Sequence, residues 1–134
     1  MPLIYIVSDS QNLKNSVSSA IAGSNNDLVE LSSGSELIAL LEDESPDLVI
    51  LDLQIGNMGA TAITLDIRLG ESAGRIKPTK VLVLLDRHAD VFMTRRSGAD
   101  GFVIKPLDSL KIKRAVSSVL KSGRYEDPAF APAN

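Results

Sequence analysis

Residues 48–53 read Leu48-Val49-Ile50-Leu51-Asp52-Leu53, an apolar run broken by a single carboxylate. A run this short has no helical period. Bounded by Pro46 upstream and Gly56 downstream, it reads as a strand buried on both faces. Four more runs of the same kind lie around it: 3–7 (LIYIV), 28–32 (LVELS), 81–85 (VLVLL) and 101–104 (GFVI). Helical spacing fills the gaps. Leu13, Val17, Ala20 and Ile21 follow a Ser10 N-cap and precede Gly23. Leu37, Leu40 and Leu41 follow Ser35-Glu36. Residues 60–69 run up to Gly70, and 88–97 form a short helix stopped by Gly98. Leu110, Ala115, Val116, Val119 and Leu120 line a last helix closed by Gly123. Apolar strands alternating with helices predict an α/β domain, a doubly wound five-stranded parallel sheet with helices on both faces. Residues 1–123 are expected to form this domain and 124–134, rich in Pro and Ala, a flexible tail or linker stub.

Composition narrows the chemistry. The chain has 134 residues, 44% hydrophobic and 23% charged, enough for one core without staples. It has no cysteine, which excludes disulfides, thiolate metal sites and thiol catalysis. A single histidine, His88, argues against histidine metal cages and Ser-His-Asp triads. No apolar run approaches a membrane span, and no basic segment precedes the first apolar run, so a cytoplasmic protein with no membrane partner is expected. Residues 75–124 hold 12 of the 14 lysines and arginines against four acids, Asp86, Asp90, Asp100 and Asp108. That half offers a basic surface. With 4% aromatics and a net charge of −3, the chain gives little support for direct nucleic-acid binding.

Doubly wound folds place their sites beyond the carboxyl ends of the strands. Asp9 follows the first strand, Asp52 lies in the third between Leu51 and Leu53, Asp86 follows the fourth and Lys105 the fifth. A carboxylate inside VILDL is costly to desolvate unless a cation or hydrogen bonds compensate. Carboxylates at neighbouring strand ends suit a hard divalent ion, most naturally Mg²⁺, and Lys105 would counter an anion such as phosphate. No Gly-rich phosphate loop follows the first strand.

With Asp9, Asp52 and the run Gly98-Ala99-Asp100-Gly101-Phe102-Val103-Ile104-Lys105-Pro106, the chain resembles the receiver domain of bacterial two-component response regulators over about residues 3–122. The resemblance implies a flavodoxin-like sheet of strand order 2-1-3-4-5. It implies a phosphoprotein signalling domain rather than an enzyme, at most self-dephosphorylating. Asp52 would be the phosphoacceptor, Mg²⁺ would be held by Asp9, Asp52 and the backbone carbonyl of Gln54, and Lys105 would contact the phosphoryl group ahead of a cis Lys105–Pro106 bond. Phe102 would be a switching aromatic. Implied partners are a histidine kinase or phosphotransfer protein and an output domain or downstream protein. A homodimer would use the face of the fourth helix, fifth strand and fifth helix, which carries Arg95, Arg96, Lys111, Lys113 and Arg114.

The chain departs from the family in places, as an atypical member. Ser8 stands where receivers carry a first acid. Leu84-Leu85-Asp86 lacks the Thr or Ser hydroxyl usual at the end of the fourth strand. Asp86 has two readings, an N-cap for the fourth helix or a third inward charge that favours Mg²⁺ and repels phosphate. Two other functions fit the same residues. One is a phosphorylation-independent interaction module using the same face. The other, with little support in a chain too short for a substrate cap, is a small Mg²⁺-dependent phosphatase.

Overall fold

The computed structural model describes residues 2–55 and 58–128. Gly56 and Asn57 in the loop after the third strand, and residues 129–134, lie outside the described residues.

The strands β1 (Leu3–Val7), β2 (Asp27–Leu31) and β3 (Leu48–Asp52) form as expected. A two-residue hairpin of β4 (Gln54–Ile55) and β5 (Met58–Gly59) follows β3, and β6 (Val81–Leu85) and β7 (Gly101–Ile104) complete the predicted set. The helices are α1 (Gln11–Ile21), α2 (Gly34–Leu41), α3 (Ala60–Ser72), α4 (Val91–Arg96) and α5 (Ser109–Ser122). Ser10 caps α1 by accepting from Leu13 N, and Asp108 caps α5 by accepting from Lys111 N. The cap of α2 is Ser33, so that helix starts ahead of the expected Ser35.

All pairings of the main sheet are parallel, in the order β2-β1-β3-β6-β7, with one strand more, β8 (Tyr125–Glu126), beside β7. The expected order therefore holds, and the expected count of five strands is corrected to six. Tyr125 and Glu126, expected in a loose tail, belong to the sheet. The reversal is made at Gly123, whose φ of +84° is a left-handed conformation that glycine adopts at little cost. The chain then runs back along the open side of β7.

Side chains alternate between two cores. Tyr5, Val49, Leu51, Val83 and Phe102 pack toward α2, α3 and α4 through Leu37, Ile63, Ile67 and Val91. Ile4, Ile6, Ile50, Leu82, Leu84 and Val103 pack toward α1 and α5 through Val17, Ile21, Ile112 and Val116. This two-sided burial is why the strands read as continuous apolar runs rather than as alternating ones. Among the described residues, no helix is long and apolar enough to cross a membrane.

Gly101 is required by the sixth strand. A Cβ there would lie 2.6 Å from the carbonyl oxygen and 3.1 Å from the nitrogen of Tyr125, both backbone atoms. Gly101→Ala should therefore destabilise the fold by about 1–3 kcal/mol and detach Tyr125–Glu126 from β7. Urea unfolding with amide exchange at Tyr125 measures both effects, and a variant as stable and as protected as the native chain would refute this account of the edge.

Candidate functional site

The parallel register brings the strand ends together on one rim. Val7 pairs with Leu51, so Ser8 lies beside Asp52. Asp52 in turn pairs with Leu84 of β6, and Leu85 with Ile104 of β7. One step further, Asp86 lies beside Lys105, whose backbone nitrogen donates to Leu85 O. Ser8, Asp52, Asp86 and Lys105 all continue the phase of the residues facing α1 and α5.

Asp52 is 6% exposed. Such a carboxylate needs compensation, and both of its oxygens have it. Lys105 Nζ donates to Oδ1 at 2.8 Å and the Ser8 hydroxyl donates to Oδ2 at 2.9 Å. Ser8 is itself fully buried, and its Oγ accepts from Ser10 N at 3.0 Å. The hydroxyl is thus fixed by the turn that starts α1.

Lys105 also pairs with Asp86 Oδ1 at 2.9 Å. Of the two readings of Asp86, the inward charge is the observed one. The cap position before the single turn His88–Asp90 belongs to Arg87, whose backbone nitrogen donates to Asp90 Oδ2. The Asp86 side chain is nonetheless 46% exposed, so it meets Lys105 from the solvent side. Partial burial of the ammonium works against its charge. Hydrogen bonds to Asp52 and Asp86, followed by the fields of the two carboxylates, outweigh it and hold Lys105 above the ordinary lysine pKa.

The remaining candidates lie around this trio. Asp9 is exposed on the bend after β1, and Gln54 opens the hairpin two residues past Asp52. The Lys105–Pro106 bond is cis, as the resemblance implies. Phe102 does not reach the rim. It is 2% exposed in the opposite core, with the Arg95 guanidinium 5.8 Å from its ring centroid. Ser8 was noted in the sequence only as a missing acid, and its role as a donor to Asp52 was not expected. The signal was present in its phase: counting by twos from Ile4 and Ile6 leads to Ser8, as counting from Leu48 and Ile50 leads to Asp52.

Among the described residues no group of three or more His, Cys, Asp or Glu side chains could hold a metal. Asp9 and Asp52, at the ends of neighbouring strands β1 and β3, are both hard oxygen donors.

Comparison with known proteins places this geometry. The model of the response regulator receiver domain matches residues 4–117. The chain is 23% identical over 126 residues to the transcriptional regulatory protein AfsQ1 of Streptomyces coelicolor, covering 94% of this chain and 54% of that protein. It is 22% identical over 120 residues to protein PilH of Pseudomonas aeruginosa, covering 90% and 98%. The chain spans about half the length of the first curated relatives it matches. In fold it is similar to a LuxR-family two-component response regulator from Aurantimonas sp., with a TM-score of 0.84 at 22% identity over 97% of this chain and 92% of that one. It is similar also to chemotaxis response regulator CheY4 of Vibrio cholerae, with a TM-score of 0.79 at 20% identity over 89% and 98%.

The double pairing of Lys105 has a titration signature. A group whose pKa is raised in the folded state contributes stability that is complete below its unfolded value, near 10.4 for lysine, and lost as pH rises through the folded value. Asp86→Ala removes one of the two carboxylates that raise it. Lys105 should then titrate at lower pH than in the native chain, and the alkaline loss of stability should begin earlier. NMR of the Lys105 Cε and Nζ across the alkaline range tests this, and an unmoved titration in Asp86→Ala would show that Asp86 does not hold the ammonium.

Proposed function

This chain belongs to the response regulator receiver domain family, and on that premise we propose that Asp52 accepts a phosphoryl group from a phosphohistidine donor, a histidine kinase or a phosphotransfer protein. The observation that carries the reading is Asp52 itself: a buried carboxylate at a strand end, with the Lys105 ammonium at 2.8 Å from Oδ1. Transfer of a phosphoryl group depends on alignment and charge neutralisation. A carboxylate oxygen of Asp52 attacks phosphorus, the bond from phosphorus to the histidine nitrogen breaks, and the electron pair leaves with the imidazole. Lys105 stands where the incoming oxygens need a cation, held there by its bonds to Asp52 and Asp86.

Mg²⁺ fits the donor set by chemistry. Asp9, Asp52 and the backbone carbonyl of Gln54 are the residues that would hold it, all through oxygen. Two carboxylates with the rest of the shell left to water suit Mg²⁺, which sheds its waters reluctantly. When bound it would neutralise phosphoryl charge. Ser8 in place of an acid gives one charge fewer toward it, so affinity should be weaker than with two acids on that bend.

Asp86 cuts the other way. It occupies Lys105 from the solvent side, where an incoming phosphoryl oxygen would compete for the same ammonium, and it adds a like charge. The family hydroxyl would donate to that oxygen, and a carboxylate cannot. The reading therefore includes a slower gain of phosphate than in a chain with Thr at residue 86. The output of the switch would be a homodimer or a downstream partner on the face of α4, β7 and α5.

Incubation with acetyl phosphate and Mg²⁺ should add one phosphoryl group by intact mass. Asp52→Asn should abolish the adduct. Lys105→Met should slow its formation about 10²-fold or more, the scale of losing one preorganised charge-stabilising donor, and Asp86→Thr should speed it. No adduct with acetyl phosphate or phosphoramidate, Mg²⁺ present, would overturn the phosphoacceptor reading in favour of a phosphorylation-independent module.

A further inference from the structure

In a sheet that ended at β7, the outer side of that strand would present backbone groups to solvent. Here the outer groups are taken up by residues 125–127, apart from Ile104 O, which accepts from Lys111 Nζ at 2.7 Å. Tyr125 N donates to Asp100 O at 3.2 Å, and Gly101 and Phe102 pair with Tyr125 and Glu126. Ile104 N donates to Asp127 Oδ2 at 2.8 Å. Two cations complete the grip. Arg95 of α4 holds Glu126 through both carboxylate oxygens, at 2.6 and 2.9 Å. Lys111 of α5 pairs with Asp127 at 3.0 Å, and the Asp127 side chain is 1% exposed. The Ser118 hydroxyl of α5 donates to Arg124 O at the turn.

The edge thus has the properties of a peptide-binding groove of the strand-addition kind. Main-chain pairing gives a parallel direction, and two cations a fixed distance apart read two successive acids. Gly101 leaves the space that the backbone of the ligand fills. The same contacts span α4, β7 and α5, and two of the five cations that mark this face in the sequence, Arg95 and Lys111, are neutralised by the chain itself.

We propose that the outer side of β7 is an acceptor site for a short parallel strand carrying two consecutive carboxylates, that Tyr125-Glu126-Asp127 occupy it as an internal ligand, and that an acidic extended segment of a partner binds there only when they leave. Residues 124–128 then act as an autoinhibitory strap hinged at Gly123. The Arg95 that holds Glu126 also covers Phe102, so release of the strap would free the cation above that ring. The proposal does not depend on Asp52 accepting phosphate.

The test needs no phosphoryl donor. In the full chain carrying Glu126→Lys and Asp127→Ala, the Ile104 amide loses its carboxylate and should exchange about tenfold faster or more, the scale of a hydrogen bond to a charged group. Amides of β6 should keep their protection. The peptide Arg-Tyr-Glu-Asp-Pro, the chain's own residues 124–128, should bind this variant and restore protection at Ile104. It should not bind the native chain at the same concentration, and Arg-Tyr-Lys-Ala-Pro should bind neither. Equal binding to native chain and variant would overturn the strap, and no binding to a variant with a released Ile104 amide would overturn the acceptor site. If the double variant does not fold, Arg95→Ala leaves the strap's own sequence intact. It should speed exchange at Tyr125 and Glu126, and unchanged exchange there would overturn the clamp. None of these outcomes bears on the Asp52 adduct.

Discussion

The Lys105 ammonium is shared between two carboxylates, one buried and one half-exposed, and the rim is organised around that sharing. Without the cation, Asp52 would be a nearly dry negative charge with only the Ser8 hydroxyl to stabilise it, a state that proteins avoid by neutralising the group or opening the site. With it, the carboxylate is paired and held in a fixed direction at the end of β3. The geometry that fixes Lys105 is backbone geometry: β7 pairs with β6 up to Leu85 and Ile104, and the cis bond to Pro106 follows at once. Parallel register therefore delivers the side chain to the rim, where the two carboxylates hold its ammonium.

A second constraint acts along the other side of the same strand. Residue 104 gives its amide to Asp127, and residue 105 gives its ammonium to Asp52. Adjacent residues on a strand point to opposite faces. The rim and the strap are therefore one residue apart in the chain yet use different groups of it, a side chain for one and a backbone donor for the other. The two are joined by β7, a four-residue strand carrying Phe102 in one core and Val103 in the other, and by Lys111, which bonds both Ile104 O and Asp127.

Much of this was legible because both cores are built from strand residues. LIYIV, LVILDL, VLVLL and GFVI could be read as buried strands since each has a helix layer above and below it. Asp52 stood out because it breaks the most apolar of them. The sixth strand was not legible. Tyr125-Glu126 is two residues long and polar at one of them, and nothing local distinguishes it from a frayed end with prolines. Its stability comes from Arg95 and Lys111, which stand 31 and 16 positions upstream of their acids, Glu126 and Asp127. Those cations read as a solvated basic face when the partner is not in view. Asp86 was ambiguous for a different reason. An acid ahead of a helix satisfies a cap and an ion pair equally well on paper. The choice was made by Arg87 taking the cap position and Lys105 lying one register step away.

On the proposed phosphoacceptor reading, Asp86 in place of a hydroxyl would change what kind of signal the site sends. A neutral hydroxyl is indifferent to the resting cation and gains a bond only when an anion arrives, so it moves toward the site. A carboxylate is already bound to Lys105 in the resting state, and an arriving anion takes the ammonium from it and repels it. If Asp52 accepts a phosphoryl group as proposed, residue 86 would be pushed outward, the opposite sense from a hydroxyl recruited inward. Because Asp86 is half-exposed, water takes up the released carboxylate and the cost of letting go is modest. The physical question at this rim is therefore which anion holds Lys105, and on the proposed phosphoacceptor reading the loop from β6 to α4 would respond to the answer.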